Sequence, residues 1–185
     1  EARKKKQDGA NTEPGKYEKW GPDIDEIEIV KAFDASSYKN VVVVPVQTDD
    51  VKLPEKEDNT YEPVQKILAS ATDPFAEGLE KNYEAAKVKV DPKPGKGADT
   101  LLVRTKIEVM DPGSRAKRYF GGFGAGAARV KLSGEIVDAK SKAVLVRFTQ
   151  ERRSGFGVAG GSYEALLNRN LRAIGEDVAN ILKAF

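Results

Sequence analysis

The 185-residue chain contains no cysteine and no histidine. Disulfides, thiol nucleophiles, histidine-centred triads and zinc sites with the usual nitrogen and sulfur ligands are therefore excluded. No apolar run approaches the roughly 18 residues that mark a membrane-spanning helix. Apolar residues are also sparse, at 39% against 32% charged, and much of the excess polarity falls near the N-terminus. The length still suffices to bury one core. Net charge is only +2, yet it is unevenly spread: acidic side chains prevail in the first half and basic ones in the second. A basic half can attract phosphates, anionic headgroups or an acidic partner, and it can equally be a solvated face.

Residues 1–23 carry Lys4, Lys5 and Lys6, then Pro14-Gly15 and Gly21-Pro22, with Tyr17 and Trp20 the bulky groups. This composition reads as a polar tether, with Trp20 able to dock on a body formed by residues 24–185. Ile24, Ile27 and Ile29 begin a short edge strand. The β-branched run Val41–Val44 suits a strand covered on both faces, and Pro45 loosens its pairing. Val64, Ile67, Leu68 and Ala71 share a helical face that Phe75 and Leu79 continue. Asp73-Pro74 predicts a kink or two consecutive helices there, with Asp73 as a cap. Val88 and Val90 form a short strand.

Period-two alternation over Leu101–Val109, Val130–Ile136 and Val144–Phe148 predicts three long half-buried strands, the last two a hairpin turning at Asp138–Lys142. Ser162 caps a final helix whose stripe is Leu167, Leu171, Ile174, Val178, Ile181 and Leu182. The order of elements gives an α/β fold, a two-layer sandwich: a mixed, mostly antiparallel sheet with helices packed on one face.

Two glycine-rich pieces punctuate these strands, Asp111–Arg129 and Ser154–Gly161, one hairpin apart. A hairpin returns to its origin, so both belong at the same end of the sheet. Arg115, Arg118, Phe120, Gly122, Phe123, Gly124, Gly126 and Phe156 are the candidate interaction surface. Bare backbones beside large rings pack closely within the sheet end, and the same rings, if exposed, anchor a partner. Backbone amides of Gly121–Gly126 with Arg115 and Arg118 could instead cradle an anion. The spacing matches neither a P-loop nor a dinucleotide fingerprint.

The clustered carboxylates, Asp49-Asp50, Glu55/Glu57/Asp58 and Asp23/Asp25/Glu26, lie on polar loops without calcium-loop spacing. No catalytic set, metal site or cofactor site is expected. Arg104, Lys106, Arg115, Lys117, Arg118, Arg129, Lys131, Arg147, Arg152 and Arg153 gather around the three long strands as a basic sheet face able to bind phosphates without sequence preference, but no sequence-specific nucleic-acid motif accompanies them. Tyr38, Tyr61 and Tyr119 show no recognisable partner.

Phe33-Asp34 with Tyr38-Lys39 and Val41-Val42-Val43, Ala98-Asp99-Thr100-Leu101, the Asp111–Arg118 block, Gly122–Ala128 and Val137-Asp138-Ala139 together resemble the bacterial domain of unknown function 4410, over roughly residues 28–184. The hairpin departs from that family's Asp-Ala-x-Thr-Gly form, having Ser141-Lys142. More distantly the layout is similar to the envelope modules of curli secretion and of the TolB amino-terminal type. The resemblance implies an exported, often lipid-anchored envelope protein without assigned activity. Glu1 in place of Met agrees with a removed signal segment, one that could have ended at a lipid-bearing cysteine. The expectation is a non-catalytic module, periplasmic or held at the outer membrane, that binds an envelope protein or itself. The alternative is a binder of small phosphate or nucleotide ligands.

Overall fold

The computed structural model describes residues 10–113, 126–154 and 162–185. They form one seven-stranded sheet with helices on one face. The strands are β1 (Gly15–Trp20), β2 (Ile24–Ile29), β3 (Asn40–Val43), β4 (Lys87–Val90), β5 (Thr100–Asp111), β6 (Arg129–Asp138) and β7 (Val144–Arg153), in the order β1-β2-β7-β6-β5-β3-β4. β3 runs parallel to both β4 and β5, and every other pairing is antiparallel. The sandwich read from the sequence is the observed one.

The alternation of the long strands sorts their side chains between two faces. Val103, Ile107, Leu132, Ile136, Val146 and Phe148 turn to the helices and are buried with Ile27 and Ile29 of β2. Val42, Leu102, Val137 and Ala139 form a second, smaller cluster. β3 is therefore buried on both faces, which explains its unbroken β-branched run. Beyond Val43 the pairing stutters around Pro45 and resumes where the Gln47 amide donates to the Thr105 carbonyl at 2.9 Å.

α1 (Tyr61–Ala69) and α2 (Thr72–Asn82) are consecutive helices, and α3 (Tyr163–Ala184) closes the layer. Ser162 caps α3 as expected, its hydroxyl accepting from the Ala165 amide at 3.1 Å. Asp73 is not the cap of α2. Ala71 holds that place, and Pro74 sits in the first turn, where a missing amide costs little.

Three further expectations change. Residues 15–20, read as part of a polar tether, form the edge strand β1, so β2 is one strand in from the edge. Lys19 takes φ 52°, which breaks the alternation and turns Trp20 inward, where it is 4% exposed and stacked 6.2 Å from Phe185. A register shift between Ile107 and Val109 places Met110, not Val109, in the core. Arg152, read as part of a basic face, points to the helix side and grips Asp177 of α3. The Lys4–Lys6 triplet lies outside the described residues.

Candidate functional site

β5, β6 and β7 end level with one another: Asp111 is paired with Arg129, and Arg129 with Arg153. This rim holds the residues that flank both glycine-rich segments. Gly113 stands at φ 72° and Gly126 at φ 73°, left-handed values that favour glycine. A side chain on Gly113 would overlap the Gly126 carbonyl oxygen, so the two backbones touch at the base of the corner. Next to them the Ala128 carbonyl accepts from the Ser154 amide at 2.9 Å and from Asn170 Nδ2 at 3.1 Å. Ser154 Oγ donates to Asn170 Oδ1 at 3.2 Å. These bonds fix the rim to α3.

Beside the rim lies a hollow of about 450 Å³, walled by Pro54, the Asp58–Thr60 turn, Asp111–Gly113, Gly126, Ala127, Arg129, Arg153 and Tyr163. Its carboxylates are committed to turns. Asp58 Oδ1 accepts from Thr60 Oγ1 at 2.7 Å and from the Thr60 amide at 2.8 Å, which holds the Asp58 carboxyl below its ordinary value. Asp111 Oδ1 accepts from the Gly113 amide at 2.8 Å. Arg129 and Arg153 share Glu151, at 3.7 and 2.5 Å. Such a site presents carboxylate oxygens already engaged in turns and guanidinium groups already paired with Glu151. Those groups can hydrogen-bond polar atoms brought into the hollow.

Among the sequence-derived site residues, Gly126 is placed on this rim. Arg115, Arg118, Phe120, Gly122, Phe123, Gly124 and Phe156 lie outside the described residues, as do Lys117 and Tyr119. The Asp58-Asn59-Thr60 turn was not singled out as part of the corner. Its signal was local, an acidic side chain two residues before a hydroxyl at a helix start. The remaining acidic clusters are drawn into the fold. Asp50 pairs with Lys106 at 2.5 Å, and Asp25 Oδ2 accepts from the Glu151 amide at 2.8 Å. Among the described residues no group of three or more metal-ligating side chains occurs, and no helix is long and apolar enough to cross a membrane.

Tyr38, for which the sequence showed no partner, donates to Asp138 Oδ2 at 2.8 Å at the opposite end of the sheet. Phe33, Tyr38, Asp99 and Asp138, all from the motif pieces quoted above, meet there. Phe33 packs edge-on to Tyr38, and the Asp99 carbonyl accepts from the Lys39 amide at 2.9 Å. The motif residues therefore fall at both ends of the sheet.

The profile of the domain of unknown function 4410 (DUF4410) matches residues 29–158. No curated protein matches. Among solved structures, a PelC dodecamer from Paraburkholderia phytofirmans aligns at 17% identity, covering 86% of this chain and 97% of that one, with a TM-score of 0.53. A Xanthomonas campestris protein of the DUF330 family aligns at 12% identity over 77% and 82%, with a TM-score of 0.50. A hypothetical protein from Chlamydia trachomatis does so at 9% identity over 80% and 99%, also with a TM-score of 0.50. At these identities the likeness is one of fold.

Proposed function

The chain belongs to the DUF4410 family, and from that premise we propose that it is a non-catalytic assembly module of the bacterial cell envelope. It works from the periplasm or from the outer membrane, as the resemblance to exported family members implies. Its working surface is the rim where β5, β6 and β7 end. One observation carries the reading: the flanks of both glycine-rich segments stand side by side on that rim, with Gly113 against Gly126. The segment bearing Phe120 and Phe123 leaves β5 and re-enters the sheet at β6, and the one bearing Phe156 leaves β7 beside them and leads into α3. Aromatic side chains are frequent anchors of protein contacts. The partner is an envelope protein or a second copy of the chain. Self-association is in keeping with the fold shared with PelC, which forms a dodecamer.

The mass of the full chain in solution, measured by light scattering across a concentration series, tests this together with a Phe123→Ser/Phe156→Ser variant. The variant should lose association or partner capture while melting cooperatively at an unchanged temperature. Association that persists would show the rim to be the wrong surface. Saturable thermal stabilisation by one phosphate compound would replace the reading with that of an anion binder.

A further inference from the structure

We propose that the open face of the sheet, the one without helices, docks onto the same face of a second copy of this chain about a two-fold axis running along the strands between β6 and β7. Lys16, Glu28, Arg147, Glu135 and Arg104 stand directly opposite one another on β1, β2, β7, β6 and β5. They form a stripe of alternating sign, roughly 19 Å long at about 4.8 Å per strand. One of its four neighbouring pairs closes as a salt bridge, Arg147–Glu28 at 3.4 Å. Among the described residues, Lys16, Glu135 and Arg104 enter no ion pair.

The stripe is self-complementary. A two-fold between β6 and β7 sets Arg147 against Glu135 of the second copy, and Glu28 against Arg104 of the second copy. The same operator serves the next row, where Thr149 is paired with both Glu26 and Ser133, and Ser133 with Lys106. Thr149 then meets Ser133 of the other copy, and Glu26 meets its Lys106, which already holds Asp50 of its own chain.

Cross-strand pairing inside one sheet asks for complementarity between neighbours only. Along the stripe the opposite signs of Glu28 and Arg104 follow from that alternation, but in the next row Glu26 and Lys106 are separated by the uncharged Thr149 and Ser133, so their opposite signs serve no contact with each other within the chain. The face is a shallow trough of about 1080 Å³, with room for long side chains and bridging water from a second copy. Towards the rim the same axis brings Arg129 and Arg153 together. Like charges end the contact there and leave the rim free.

The inference shares with the proposed function the premise of self-association, but it uses another surface. Light scattering on the full chain at low and high salt tests it, with Arg147→Glu and Glu135→Arg made singly, mixed, and combined. The parent should have a mass of at least twice 20.1 kDa at low salt, falling at high salt. Each single variant should dissociate at the same concentration. Their equimolar mixture and the double variant should both recover the parental mass, because every facing pair is again opposite in sign. Charges serving only their own sheet would allow no rescue by mixing. Glu28→Arg with Arg104→Glu is a second such pair should one variant misfold. A monomeric parent, or single variants that associate as the parent does, would overturn the inference. Dissociation of the Phe123/Phe156 variant alone would sink the stripe and leave the rim reading standing.

Discussion

Gly175 of α3 rests directly on the backbone of Phe75 in α2: a methyl group on Gly175 would overlap the Phe75 carbonyl oxygen and crowd the Leu79 amide. The relation is reciprocal, because a methyl group on Gly78 would overlap the Arg172 carbonyl. In an open helix, glycine to alanine gains up to about 1 kcal/mol. Here the sign reverses, since neither backbone can yield without separating the two helices. Gly175→Ala should cost about 1–3 kcal/mol, and thermal unfolding should show a drop of about 2–4 °C for each of them. A gain in melting temperature would mean that the helices do not approach so closely.

At the hairpin end of the sheet, Tyr38 and Asp138 make a latch with a defined pH range. Burial, then the hydrogen bond to Asp138, pushes the Tyr38 hydroxyl up to about 12. The Ser141 amide, then the Tyr38 hydroxyl, holds the Asp138 carboxyl below its ordinary value. For Tyr38 the raised value means that the unfolded chain gives up its proton first. Its contribution is full below about pH 10 and is lost as the pH rises towards about 12. For Asp138 the lowered value means that its contribution holds above about pH 4 and fades on acidification. Tyr38→Phe should cost about 1 kcal/mol near neutral pH. In urea titrations its deficit against the parent should shrink above pH 10. A deficit that stays constant at alkaline pH would show that the hydroxyl titrates alike in both states.

Period-two alternation in β5, β6 and β7 was legible because one face of each strand is buried and the other charged. β1 was hidden by Lys19, whose left-handed φ flips the inward set for one residue. The exchange of Val109 for Met110 has another local cause, a bulge that no period can announce. The convergence of the glycine segments follows from hairpin logic. The Asp58–Thr60 wall does not, because it approaches from a loop some fifty residues away in sequence. The charge stripe was beyond reach for a related reason. It exists only across strands, and the alignment of Glu28 with Arg104 depends on β2 joining the sheet beside β7. Sequence showed that these charges face outward, while register decides which of them meet.

Asp177, buried in α3, binds three elements together, and its removal makes the last prediction. Arg152 of β7 grips both of its oxygens, and Gln150 Nε2 donates to Oδ2 at 2.8 Å. The same amide nitrogen donates to the Asp23 carbonyl at 2.7 Å, and Gln150 Oε1 accepts from the Asp25 amide at 2.8 Å, so the start of β2 hangs from the cluster. Burial pushes the Asp177 carboxyl up while Arg152 and Gln150 pull against it, and the guanidinium itself is held above its ordinary value. Losing one member of a buried pair costs about 3–5 kcal/mol, because the other is left uncompensated. Arg152 remains 33% exposed, so water recovers part of that, and Asp177→Ala should fall near the lower end. Replacing both, as Asp177→Leu/Arg152→Met, removes the stranded charge and should recover much of the loss. Urea unfolding of the two variants separates the outcomes. If the double variant is as unstable as the single one, the network acts through the Gln150 link to β2 rather than through charge.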